Sequence, residues 1–221
     1  MNKIVLIDEA LTPDGELLKL TTQSGYFQVS LEGASLMSSH EHHSEEFMTD
    51  LVCQRAATIP NARILVGGLG MGYTLRAALD RLASDATVVV VELMPAVLRW
   101  NQGPLGHLAN HPLDDPRTQC EVIDLVEYFQ SAPEPFDGML LDVDNGPEPF
   151  TTGGNVRLYD ERGVQRLYEM LKPDGTVVVW SAFECPEFLD LMKCTGFVAN
   201  AVNARSRGKR GGHHTLFVGN R

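Results

Sequence analysis

The 221-residue sequence is poor in cations: 18 Lys and Arg stand against 29 Asp and Glu, for a formal net charge of −11. Phosphate affinity comes from clustered Lys and Arg, so the composition argues against nucleic-acid binding. The same acidity suits a cationic substrate, although it also keeps many proteins soluble. Long apolar runs are missing too. None approaches the roughly 18 residues that cross a bilayer, and no membrane association is expected. The start, Met1-Asn2-Lys3-Ile4-Val5-Leu6-Ile7-Asp8-Glu9, meets acid too early for a secretory leader, which predicts a cytoplasmic protein. Cysteine is scarce. Cys53, Cys120, Cys185 and Cys194 form no C-x-x-C pair. They read as reduced, buried small hydrophobes rather than a disulfide frame or a zinc site. There is no internal repeat and no low-complexity stretch.

What is present fits one globular domain with a small appendage. Residues 1–43 hold four strand-like runs, Ile4–Ile7, Leu17–Thr21, Tyr26–Leu31 and Ala34–Ser38, separated by turn signals such as Pro13-Asp14-Gly15 and Ser24-Gly25. They predict a small antiparallel β appendage. Residues 44–221 alternate strand and helix. Ser44 caps a helix to about residue 58. Strands follow at Ile64–Val66, Thr87–Val91, Glu121–Ile123, Gly138–Leu141 and Thr176–Trp180. Helices are expected over Tyr73–Leu82, from Pro95, over Tyr159–Leu171 and over Pro186–Cys194. Four consecutive valines, Val88 to Val91, suit a strand buried on both faces. Phe197–Asn203 and His214–Val218 make a closing hairpin. The pattern is an α/β chain with a mostly parallel seven-stranded sheet and helices on both faces.

The chemistry is expected at the strand ends. Gly67-Gly68-Leu69-Gly70-Met71-Gly72 follows a strand and precedes a helix, where glycines permit a tight turn and close approach of a ligand to the backbone. Glu92, at the end of the next strand, is placed to accept hydrogen bonds from two ribose hydroxyls. The spacing G-x-G-x-G and the terminal strand-loop-strand point away from a dinucleotide and towards a Rossmann-like class I methyltransferase fold. Asp124 either meets the adenine amino group or caps the helix Leu125–Gln130, and the two roles are compatible. The candidate nucleoside-binding residues are Gly68, Gly70, Gly72, Glu92, Leu93 and Asp124. At the fourth strand end, Asp142-Val143-Asp144-Asn145-Gly146-Pro147 sets two acids beside a Gly-Pro turn, at the edge where open α/β sheets bind ligands.

From about residue 16 to 180 the chain resembles the spermidine synthase (polyamine aminopropyltransferase) family. The residues that carry the likeness are Ser44-Glu45-Glu46-Phe47-Met48, Gly68–Gly72 with Leu75-Arg76, Asp115-Pro116-Arg117, and Asp142…Asp144…Gly146-Pro147. The resemblance implies S-adenosylmethionine or its decarboxylated form as co-substrate, with no metal, and an amine as acceptor. It implies Asp142 as proton acceptor from the attacking amine and Asp144 as a substrate-holding residue. It places Glu46 or His43 towards the acceptor, and position in the chain suggests Tyr159 there as well. With the β appendage, it favours a homodimer. The loop departs from the family pattern: a single residue, Val143, separates the aspartates, and Asn145 follows the second. Two alternatives therefore stay open, a small-molecule methyltransferase and a non-catalytic nucleoside-binding protein.

Four further features read as structural. His40-Glu41-His42-His43 is a linker or site rim rather than a metal site, because adjacent side chains diverge. Trp100 and Trp180 read as core. Arg205 to Gly212 reads as a solvated hairpin tip.

Overall fold

The computed structural model describes residues 3–40, 42–131, 133–143, 146–147, 156–207 and 210–221. Four strands, β1 (Val5–Leu11), β2 (Leu17–Gln23), β3 (Tyr26–Leu31) and β4 (Ala34–Ser38), form an antiparallel sheet in the order β1-β2-β3-β4. Positive-φ residues make its turns: Ser24 and Gly25 join β2 to β3, and Glu32 and Gly33 join β3 to β4. Leu18, Leu20 and Val29 drop from this sheet into the main core. Strand β1 stays outside, with Val5, Leu6 and Leu11 all more than half exposed. Its anchor is Asp8, whose Oδ2 accepts the indole N–H of buried Trp100 at 2.7 Å.

Helix α1 (His43–Ala56) leads into β5 (Arg63–Gly67), α2 (Tyr73–Arg81), β6 (Thr87–Glu92) and α3 (Pro95–Gln102). The chain continues through β7 (Thr118–Val122), α4 (Leu125–Gln130), β8 (Phe136–Leu141), α5 (Val156–Tyr159) and α6 (Glu161–Met170). It closes with β9 (Leu171–Ser181), α7 (Pro186–Thr195), β10 (Val198–Arg207) and β11 (Arg210–Asn220). The second sheet has seven strands in the order β10-β11-β9-β8-β5-β6-β7. Strands β5 to β9 are mutually parallel, and β10 and β11 are antiparallel. This is the Rossmann-like class I methyltransferase architecture, with the small antiparallel sheet in front of it.

Alternation along the central strands builds a core on each face. Val88 and Val90 pack with Met48, Val52, Leu75 and Val97 from α1, α2 and α3. Val89 and Val91 pack with Leu125, Phe129, Leu158, Val164 and Phe188 from α4 to α7. Each fully buried valine contributes roughly 1.5–3 kcal/mol of transfer free energy, which is why a run of four holds a central strand.

The structure corrects several local expectations. Ser44 does not cap α1; the cap position is His42, whose side chain caps no backbone N–H, and Ser44 is buried in the first turn. Its hydroxyl instead donates to Glu45. The third sheet strand starts three residues earlier and ends one residue earlier than expected, and Asp124 beyond it is extended and caps α4. The helix expected over Tyr159–Leu171 is α6, which starts two residues later, because Asp160 turns extended and accepts the N–H of Gly163, leaving Tyr159 to end the short α5. The closing strands reach Arg207 and Arg210, so most of the basic segment is in the hairpin itself.

Candidate active site

Neighbours β6 and β8 lie on opposite sides of β5, so the strand order reverses there and opens a crevice beyond the strand ends. Backbone bonds tie the three tips together. Gly68 N–H donates to Val91 O at 2.9 Å, and Asp142 N–H donates to Gly67 O at 2.9 Å. The turn after β5 needs its glycines. Gly68 has φ of 86°, and a β-carbon there would sit 2.3 Å from the carbonyl oxygen of Asp142. Gly72, at φ of 84°, caps α2. The carbonyl of Gly70 accepts from Asn101 Nδ2 at 2.8 Å.

Glu92 is 7% exposed at the end of β6. Its two oxygens each accept a backbone N–H at 2.8 Å, Oε2 from Leu69 and Oε1 from Met94. Burial pushes its carboxyl upward and the N–H donors oppose that shift. Leu93, beside it, is exposed. Asp124 caps α4 through Oδ1, which accepts from Val126 and Glu127, so its second oxygen remains for other donors.

Between the glycine turn and the first sheet lies a cavity of about 230 Å³. Its walls are Leu36, Met37 and Ser38 of β4, Ser44 and Glu45 of α1, and Leu69 to Met71 of the turn. Tyr73 and Thr74 of α2, Asp142, Trp180, Ser206 and His214 complete it. Among the described residues no Lys or Arg belongs to this lining, while Glu45 and Asp142 both do. Asp142 accepts from Thr74 Oγ1 at 3.3 Å, and burial pushes its carboxyl up to about 6. Glu45 accepts from Ser44 Oγ at 2.6 Å. Burial, and then the charge of Asp142, pushes Glu45 up to about 8. The far wall is aromatic, with Trp180 and His214 ring centroids 4.6 Å apart.

Other expected residues stand elsewhere. Glu46 accepts from His42 Nδ1 at 2.9 Å, approaches His43 Nδ1 at 3.4 Å, and borders a neighbouring groove with Phe47, Asp50 and Arg81. The Tyr159 hydroxyl donates to Val143 O at 3.3 Å, behind the cavity wall. Asp144 and Asn145 lie outside the described residues; Gly146, at φ of 91°, is pressed against Ser181. Asp115-Pro116-Arg117 is a clamp: Arg117 binds both oxygens of Asp115, at 2.9 and 2.8 Å, and holds that carboxyl down at about 2. Among the described residues no three His, Cys, Asp or Glu side chains converge as a metal site.

The sequence reading missed Glu45 as a site residue, taking it only as part of an acid-rich helix start. Its signal is spacing: Glu45 is flanked on the helix by buried Ser44, Met48, Thr49 and Val52, so an acid rides the inward face of α1. Ser206 and His214 carried no such signal.

No family model matches the chain. It is 32% identical over 124 residues to polyamine aminopropyltransferase 1 of Streptomyces coelicolor, across 55% of this chain and 22% of that protein. To polyamine aminopropyltransferase 1 of Hyperthermus butylicus it is 29% identical, across 65% of this chain and 49% of that one. To the polyamine aminopropyltransferase of Prochlorococcus marinus it is 27% identical, across 83% and 61%. The match thus spans less than two thirds of each of these relatives. The structure superposes on spermidine synthase in complex with the transition state analogue AdoDATO, with a TM-score of 0.75, 16% identity, and coverage of 97% of this chain and 72% of that one. The same values hold for spermidine synthase from Thermotoga maritima. The resemblance read from the sequence is a spermidine-synthase-like one in both sequence and fold.

Proposed function

We propose that this chain is a transferase that moves an aminopropyl group from decarboxylated S-adenosylmethionine to an amine. The observation that carries this reading is Asp142: a half-buried acid at the tip of β8, across from the glycine turn, in a cavity that also holds Glu45 and, among the described residues, no Lys or Arg.

The glycine turn and Glu92 fit the donor's ribose, since each Glu92 oxygen has a lone pair left after its backbone bond. Asp124 Oδ2 suits an adenine amino group. An alkylamine has a pKa near ~10 and arrives protonated. Asp142 takes one proton from that ammonium, and the freed lone pair attacks the propyl carbon next to sulfur. The C–N bond forms, the C–S bond breaks, and its electron pair stays on sulfur, which leaves as a neutral thioether needing no acid. A positioned base supplies ~10²–10⁴ in rate, and alignment of the reacting atoms supplies much of the rest. Asp144 assists in holding the acceptor in this reading, with Glu46 and Tyr159 at its margins.

Methyl transfer from the carboxylated donor would call for a partner for the donor carboxylate, and among the described residues the cavity lining offers no Lys or Arg. The exposed apolar strand β1 supports self-association as a homodimer. The four free cysteines agree with a cytoplasmic setting. Calorimetric titration with the carboxylated and decarboxylated donors tests the function: preference for the decarboxylated one, and a new C–N bond in the amine product by mass spectrometry, are expected. Preference for the carboxylated donor would replace this reading with methyl transfer.

A further inference from the structure

Asp142 has a chemical task in the proposed reaction, and Glu45 has none. Yet Glu45 is an acid on the inward face of α1, held by the Ser44 hydroxyl at 2.6 Å, in the same cavity as Asp142. An acid half-buried there, with no Lys or Arg in the lining among the described residues, costs stability, because desolvation penalises its charge. Among the described residues, the titratable groups that share its cavity are Asp142 at the end of β8, Tyr73 on α2 and His214 on β11, while Glu46 and His43 of its own helix and Arg205 of β10 border the neighbouring groove. The Tyr73 hydroxyl is turned to the carbonyl of Ser39, and Glu46 to His42 and His43. Asp142 is therefore the group with which Glu45 must settle its charge.

We propose that Glu45 is a specificity-determining residue of the acceptor site: with Asp142 it forms a carboxyl pair that holds one proton in the free protein and releases it when an alkylammonium group settles between the two. This rests on the transferase reading given above. The exchange balances: a singly protonated pair and R–NH3+ become two carboxylates with R–NH3+, and one proton passes to solvent. Two like acids in a desolvated space resist joint ionisation, and a cation between them removes that resistance. The upward displacement of both carboxyls, that of Glu45 in part by the charge of Asp142, agrees with this. A neutral nucleophile of the same shape cannot displace the proton, so the pair selects amines over alcohols.

The test is calorimetric titration of the full chain with 1,4-diaminobutane at pH 7, in phosphate and in Tris, with 1,4-butanediol as the neutral control. The heats differ between buffers in proportion to protons released. The expected result is release approaching about one proton per diamine bound and no binding of the diol. Glu45→Gln should abolish the release and weaken diamine binding about tenfold, and Glu45→Asp should restore the release. Diamine binding without proton release in the unaltered protein overturns the proposal, and that result needs no variant to fold. Unchanged release in Glu45→Gln overturns it as well. Methylthioadenosine is titrated in parallel. If it binds and the diamine does not, this proposal falls while the nucleoside pocket stands; if neither binds, the transferase reading falls with it.

Discussion

The carboxylate of Glu92 receives the backbone N–H of Leu69 at 2.8 Å, so the acid at the tip of β6 shapes the turn at the tip of β5. On the proposed donor site one side chain would thus carry two duties, holding the glycine turn and facing the ribose. Glu92→Gln should expose the difference. An amide has one accepting oxygen, so one of the two backbone N–H groups meets an NH2 instead. We expect a loss of about 1–3 kcal/mol in chemical denaturation, together with weaker methylthioadenosine binding. A variant of full stability that binds the nucleoside normally would deny both duties.

Asp142→Asn separates chemistry from binding. The amide keeps the volume and accepts from Thr74, but it cannot take a proton. Turnover should fall by about 10²–10⁴ with donor affinity unchanged. Single-turnover kinetics beside a donor titration measure the two effects separately.

The Glu45–Asp142 pair should leave a mark on stability as well as on binding. Both carboxyls are raised in the folded state, to about 8 and about 6, above the ordinary 4.5 and 3.8. Between those limits the native state holds more protons than the unfolded one, so this pair's contribution falls as pH rises. Thermal melts of the protein and of Glu45→Gln should therefore diverge from pH 5 to pH 9, with the unaltered protein losing ground. A constant difference would remove the pair's coupling.

Gly68→Ala tests the contact at the crevice. Its φ of 86° disfavours any side chain, and the new β-carbon would meet the Asp142 carbonyl oxygen at 2.3 Å. A cost of about 2–4 kcal/mol is expected, with loss of nucleoside binding, because turn and strand tip must part.

The mostly parallel sheet, the two-faced valine strand and the placing of the glycine turn and Glu92 at neighbouring strand ends were legible in the sequence, because each rests on a local pattern: alternation, glycines after a strand, an acid at the next strand's tip. The acceptor end was less so. Glu45 was in view, but its neighbour Glu46 drew the assignment, and only the rotation of α1 decides which of two adjacent acids turns inward. His214 reaches the cavity through pairing of β11 with β9, and Ser206 through pairing of β10 with β11; the first is a long-range event that leaves no trace in a short window. The Asp160 break between α5 and α6 was missed for the opposite reason. Apolar spacing continued across it, and a strong local cap prevailed.

Trp100→Phe keeps the buried ring and removes the donor to Asp8. The first sheet should then loosen where it meets α3. Faster amide exchange in β1, with a nearly unchanged global melt, is the expected outcome.

Strand β11 lies inside the second sheet, between β9 and β10, and it also brings His214 to a cavity whose opposite wall is Leu36. Until it inserts, β9 presents a bare row of amide and carbonyl groups, and β10 has no neighbour in the sheet. The His214 wall of the cavity therefore depends on a pairing between strands about forty residues apart in the chain, the class of contact that carries the largest loop-closure cost. A variant that weakened this pairing would lose that wall and bare the edge of β9 to other chains at the same time.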